Sequence, residues 1–179
     1  FYNFLCIKIK FMTTVLTTGG LGFIGSHTCV LLIQSGFNVV IIDSLANSKE
    51  ETFEKVKEVI GINKTKDRGQ IFFCKGDVRD ENLLKEVFLK FKEKKMPIEF
   101  VIHFAGLKSV DESVREPLEY WDVNINSAIT LLKVMDSYQC RNLVFSSSAT
   151  IYKVNNSNNI TEESNLEPIN AYGNSKFSI

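Results

Sequence analysis

The chain has 179 residues, 44% of them apolar and 23% charged, enough to bury one good core and to form one domain or slightly more. Lysine plus arginine (21) balances aspartate plus glutamate (21), so no basic excess attracts a phosphate backbone or an anionic membrane, and neither nucleic acid nor a membrane is expected as a partner. Cys6, Cys29, Cys74 and Cys140 are widely spaced with no CxxC pair, and His27 and His103 have no close ligand-type neighbour; zinc and a disulfide framework are disfavoured, and a thiol-bearing cytoplasmic protein is the default.

The first eleven residues, FYNFLCIKIKF, are apolar but too short to span a bilayer, are broken by Lys8 and Lys10, and lack a small-residue cleavage site. They read as an extension preceding a domain that begins at Met12, and their alternation Ile7, Lys8, Ile9, Lys10, Phe11 also suits an added edge strand. From there, short β-branched runs alternate with helical patterns. Residues 13–18 (TTVLTT) read as a strand, 22–35 as a helix closed by Gly36, and 38–43 (NVVIID) as a second strand. A helix near 49–60 follows, then a strand at 70–74 and a helix from about 81 to 94. Pro97 precedes a strand at 99–103, a long helix runs from near 117 to 138, and 141–146 is another strand. The polar stretch 155–165 reads as a solvated loop, the lysine-rich run 90–95 as an exposed helix face, and a further helix starts at Asn170. Strand and helix in alternation imply right-handed βαβ crossovers, hence an α/β doubly wound parallel sheet of the Rossmann type with ligands at the carboxyl ends of its strands.

The loop TGGLGFIG, residues 18–25, fits both GxGxxG and GxxGxxG, through Gly20 or Gly19 with Gly22 and Gly25. Missing Cβ atoms permit a tight turn, let backbone approach a pyrophosphate and pack the helix on the sheet, while the helix N-terminus offers N–H groups to the anion. A glycine triplet alone is a weak signal. Here it follows a strand, opens a helix and is followed by Asp43 at the end of the next strand, near the expected offset of about 20 residues. A carboxylate there holds a ribose 2′-hydroxyl and repels a 2′-phosphate, so NAD is favoured over NADP. Asp77 and Val78 follow the third strand, at the expected adenine position, and Phe104, Ala105 and Gly106 follow the fourth, where backbone passes close to the cofactor.

Residues 145–152 read FSSSATIY, with serines just past a strand end, and Tyr172 and Lys176 stand one helical turn apart. Tyrosine, with a solution pKa near 10, is a poor base at neutral pH unless a lysine ammonium and a positive nicotinamide stabilise its phenolate. The pair alone and the serines alone are unspecific; together, each at its strand or helix in a dinucleotide fold, they point to a Ser, Tyr, Lys site. His103 reads as structural rather than catalytic, and the absence of a GxSxG elbow argues against a serine hydrolase.

The segments TTGGLGFIGSHTCVLL, VIHFAGLKSVDESVREPLEY, NLVFSSSATIY and AYGNSK, in this order and spacing, resemble the N-terminal part of the UDP-glucose 4-epimerase family within the extended short-chain dehydrogenases/reductases, over residues 13–179. The resemblance implies NAD as cofactor, UDP-glucose and UDP-galactose as substrates, and a homodimer formed through the helix at 117–138 and the Tyr172 helix. It assigns Ser148, Tyr172 and Lys176 as the catalytic set. Phe23 and Ile24 would lie over the pyrophosphate, and Asp43, Ser44, Asn47 and Ser48 around the adenosine ribose. Phe104, Ala105, Gly106, Lys108 and Asn124 would line the remaining cofactor surface. It also makes residues 12–179 an NAD-binding catalytic domain cut within its last helix, so that turnover by this stretch alone is expected to be weak or nil. Members of the family carry asparagine at Ser44 and glycine at Asp111 and Lys153, and Asp111 raises the question of a backbone conformation that only glycine adopts. A related 4,6-dehydratase would carry an acid–base pair where Ala149 and Thr150 stand, and a non-catalytic NAD-sensing module would not need serine, tyrosine and lysine in register.

Overall fold

The computed structural model describes residues 13–61, 69–153 and 159–179. Five strands, β1 (Thr14–Thr18), β2 (Asn38–Asp43), β3 (Ile71–Lys75), β4 (Ile98–His103) and β5 (Asn142–Phe145), form one parallel sheet in the order β3-β2-β1-β4-β5. The order reverses between β1 and β4, the topological switch point where a crevice opens above the strand ends.

β-branched side chains suit a pleated surface, and parallel strands covered on both faces read as continuous apolar runs, as NVVIID does. Successive side chains of β2 alternate between faces. Val40 and Ile42 join Leu16 and Val101 under helices α3 (Glu81–Glu93) and α6 (Ser127–Ser137), which contribute Leu84, Phe88, Phe91, Leu131 and Val134. Val39 and Ile41 face the other way, onto α1 (Phe23–Gln34) and α2 (Glu51–Ile60), through Cys29, Ile33, Val56 and Ile60. Helix ends match local chemistry: Asp80 accepts from the N–H groups of Asn82 and Leu83 to cap α3, and Gly61 ends α2 in the left-handed region at φ 58°.

The run at 117–138 departs from a plain helix. It consists of α5 (Pro117–Trp121), a π-helical turn at Asp122–Asn126, and α6. A short helix that periodicity does not reveal, α4 (Val110–Arg115), precedes it and is capped by Ser109, whose hydroxyl accepts from Glu112 N. Asp111 therefore sits in a helical first turn, where an acid is favoured, and not in the left-handed region. Beyond β5 come a 3-10 turn (Ala149–Ile151) and α7 (Ala171–Ser178), which Asn170 caps through Gly173 N at 2.7 Å. The stretch read as a solvated loop is tied down at its flanks, where Tyr152 pairs antiparallel with Leu166 and Lys153 N donates to Asn165 O. The possible edge strand at 7–11 and the start of the domain at Met12 lie outside the described residues. No helix among the described residues is long and apolar enough to cross a membrane.

Candidate active site

The carboxyl ends of the strands surround a cleft of about 370 Å³. Its floor is the glycine loop. Gly19 adopts φ 67°, and a Cβ there would lie 2.7 Å from Ala105 N, so only glycine lets the β1 and β4 loops touch. Gly25 allows the second close approach, since its Cβ would meet Gly19 O at 2.4 Å. No side chain caps α1 at Gly22, and its first turn contains no acid, which leaves a helix N-terminus suited to an anion. Phe23 and Ile24 are exposed over it.

Asp43 is buried and holds this loop: Oδ2 accepts from Leu21 N at 2.9 Å, while Oδ1 accepts from Leu45 N and from Ser48 Oγ at 2.7 Å. Oδ2 keeps a lone pair for one more donor. Ser44, Asn47 and Ser48 line the cleft beside it, as do Asp77 and Val78 from beyond β3. Asp77 is not the cap of α3, a role that falls to Asp80. Its carboxylate takes the Arg79 guanidinium at 2.7 Å, which holds the Asp77 carboxyl below its usual range, and Arg79 also pairs with Asp122 of the π turn. Arg79, which pairs with Asp77 from outside the cleft lining, is not singled out by the sequence; a strand-end carboxylate two positions before an arginine is its signal.

Phe104, Ala105, Gly106 and Lys108 line the β4 side, and Tyr172 and Lys176 the far end, next to Ser146 and Ser147. Asn124 is elsewhere. It is 1% exposed, its Oδ1 accepts from Leu107 N at 2.8 Å, and its Nδ2 donates to Leu107 O and to Ser175 Oγ, so it clamps the β4 loop to α7 and does not line the cleft. Ser148 is likewise off the wall: its hydroxyl accepts from Thr150 N, capping the 3-10 turn, and bonds Thr150 Oγ1 at 2.9 Å.

Tyr172 packs edge-on against Tyr120, with ring centroids 6.4 Å apart. Tyr120 is fully buried, donates to Glu112 and accepts from Ser109 N; burial, then the Glu112 contact, pushes its hydroxyl up to about 12. Burial pulls the Lys176 ammonium down to about 8, so that it remains mostly charged at neutral pH. His103 is buried with Nδ1 2.6 Å from Thr18 Oγ1, and burial, aided by the Lys176 charge, brings it to about 4. It therefore stays neutral and ties β4 to β1.

A parallel doubly wound sheet with a glycine loop, a strand-end aspartate and a tyrosine–lysine pair at its carboxyl edge defines a protein of the dinucleotide-binding class. The model of the GDP-mannose 4,6 dehydratase family matches residues 16–179, and the chain belongs to that family. It is 45% identical to a UDP-glucose 4-epimerase of Cyamopsis tetragonoloba over 93% of its own length and 45% of the relative's, and 42% identical to the UDP-glucose 4-epimerase of Bacillus subtilis over 91% and 44%. Among solved structures, a UDP-glucose 4-epimerase from Bifidobacterium longum in complex with NAD+ and UDP superposes with a TM-score of 0.83 at 42% identity, over 93% of this chain and 46% of that one. The chain thus spans about half the length of the relatives that it matches.

Proposed function

We propose that this chain supplies the NAD site and the catalytic residues of a UDP-glucose 4-epimerase that interconverts UDP-glucose and UDP-galactose. The observation that carries the reading is Tyr172 and Lys176 together on the cleft wall, across the β1–β4 switch from Asp43, in a chain so similar to epimerases. The cleft suits the dinucleotide: the uncapped α1 N-terminus for the pyrophosphate, the free lone pair of Asp43 Oδ2 for a ribose hydroxyl, and Asp77 with Val78 for the adenine. NAD, when bound, would accept the hydride from sugar C4 and return it to the other face of the rotated 4-keto sugar.

Tyr172 takes the proton of the 4′-hydroxyl, and Lys176, charged beside it, lowers the cost of the phenolate. Ser148 bonds the same sugar oxygen once its hydroxyl turns away from Thr150. Asn124 acts one step removed, by fixing the loop that carries Gly106 and Lys108. Elimination of water, the step of a dehydratase, has no acid–base pair here, since the positions hold Ala149 and a Thr150 hydroxyl already engaged with Ser148.

The deciding experiment uses the whole protein that carries this chain. Wild type is expected to interconvert the two UDP-sugars, and Tyr172→Phe to lose about 100- to 10,000-fold in rate while still binding NAD. An active Tyr172→Phe variant places the base elsewhere, and a wild type that binds NAD without turnover makes the protein a sensor. We also infer a homodimer through the α5–α6 run and α7, where Leu118, Leu132 and Phe177 are exposed; a monomer in sedimentation equilibrium would end that reading.

A further inference from the structure

We propose that the aromatic face of Phe145 is a positioning element for Lys176, seating its ammonium on the cleft wall and favouring its charged form. Lys176 is 6% exposed, and among the described residues its Nζ has neither a carboxylate in ion-pair range nor a hydrogen-bond acceptor. What it has is the ring of Phe145, the last residue of β5, with Nζ 4.8 Å from the centroid. The ammonium also lies beside Gly106, where an added Cβ would come within 3.4 Å of Nζ. An ammonium withdrawn from water is attracted by the negative face of an aromatic ring, and the attraction grows as the site dries.

The other groups at this corner cannot supply that attraction. Tyr172 shares α7 and Lys108 lines the cleft, and neither brings a carboxylate. His103, from β4, packs its ring 5.8 Å from the same Phe145 ring and stays neutral, with its buried Nε2 unpartnered. The acids among the described lining residues, Asp43 and Asp77, form no ion pair with Lys176, and Asp77 takes Arg79 instead. Phe145 therefore does for the lysine what a counter-ion does elsewhere, without a carboxylate that would compete for the tyrosine proton. The proposal rests on Lys176 acting on Tyr172 as described above, and it adds a residue to which no role was given.

Titration of Lys176 in the whole protein tests it, followed by NMR of lysine labelled with carbon-13 at Cε, with the signal assigned by its loss in Lys176→Met. Phenylalanine analogues carrying one, two and three ring fluorines at position 145 weaken the negative face stepwise at nearly constant volume. The Lys176 pKa is expected to fall stepwise along the series, by about half a unit to one and a half units at the end, with Phe145→Tyr close to wild type. A flat series, or a shift in Phe145→Tyr as large as that of the most fluorinated ring, overturns the proposal and leaves Phe145 as packing. The readout needs no turnover, so an inactive wild type would overturn the epimerase reading and leave this result standing.

Discussion

At Lys176 the fold withholds water from a charge and so gives up stability. With a folded-state pKa of about 8 against 10.5 for an ordinary lysine, the unfolded chain binds more protons between those values, so this residue makes stability rise with pH from about 8 to 10.5 and imposes a constant, pH-independent penalty below 8. Lys176→Met is accordingly expected to stabilise the ligand-free protein at pH 7, on the order of 2 kcal/mol, as a raised Tm in calorimetry, while epimerisation is lost. An unchanged or lowered Tm would show that the ammonium is not the strained group. Sequence made the tyrosine–lysine pair readable because an i, i+4 spacing survives any packing. It did not show which of the serines 146–148 faces the cleft, because a non-repetitive turn has no period, and it could not show Phe145 beneath the lysine, because that contact joins residues far apart in the chain.

The elements meet at places where a missing side chain sets the distance. A Cβ on Gly173, inside α7, would lie 2.7 Å from Thr150 O, so this glycine lets the helix of Tyr172 press against the turn that Ser148 caps. Gly173→Ala is expected to push the two apart and to lower kcat about 10- to 100-fold with little change in NAD affinity, since misplacing a catalytic group by about 1 Å costs rate on that scale. Equal losses in kcat and in NAD binding would instead mean that the whole domain had shifted. Strands and helices could be located from period and punctuation, whereas α4 escaped because six residues, VDESVR, are too few to display a stripe. Asn124 was expected on the cofactor surface, yet its amide is spent on Leu107 and Ser175. A resemblance carries residue identities across, but the direction in which a side chain points depends on the helix it rides.

Across the whole molecule, acid attacks where base relieves. His103, about 4 when folded against 6.5 otherwise, withdraws stability as pH falls from about 6.5 to 4, and Asp77, held low by Arg79, adds to the loss at still lower pH. Urea midpoints are thus expected to fall steeply below pH 6, and less so in His103→Asn, whose amide can keep the bond to Thr18; an equally steep fall in that variant would acquit the histidine. The π turn at Asp122–Asn126 matters on this scale too. One residue more per turn advances the helix by about 100°, so the rod changes phase between its halves. Tyr120, before the turn, meets Tyr172, and Leu131 and Val134, after it, fill the core under the sheet. A single rod thereby serves two clients in two directions, and chain length through residues 122–126, together with the Asn124 clamp on α7, keeps the Tyr172–Lys176 corner in step with the core.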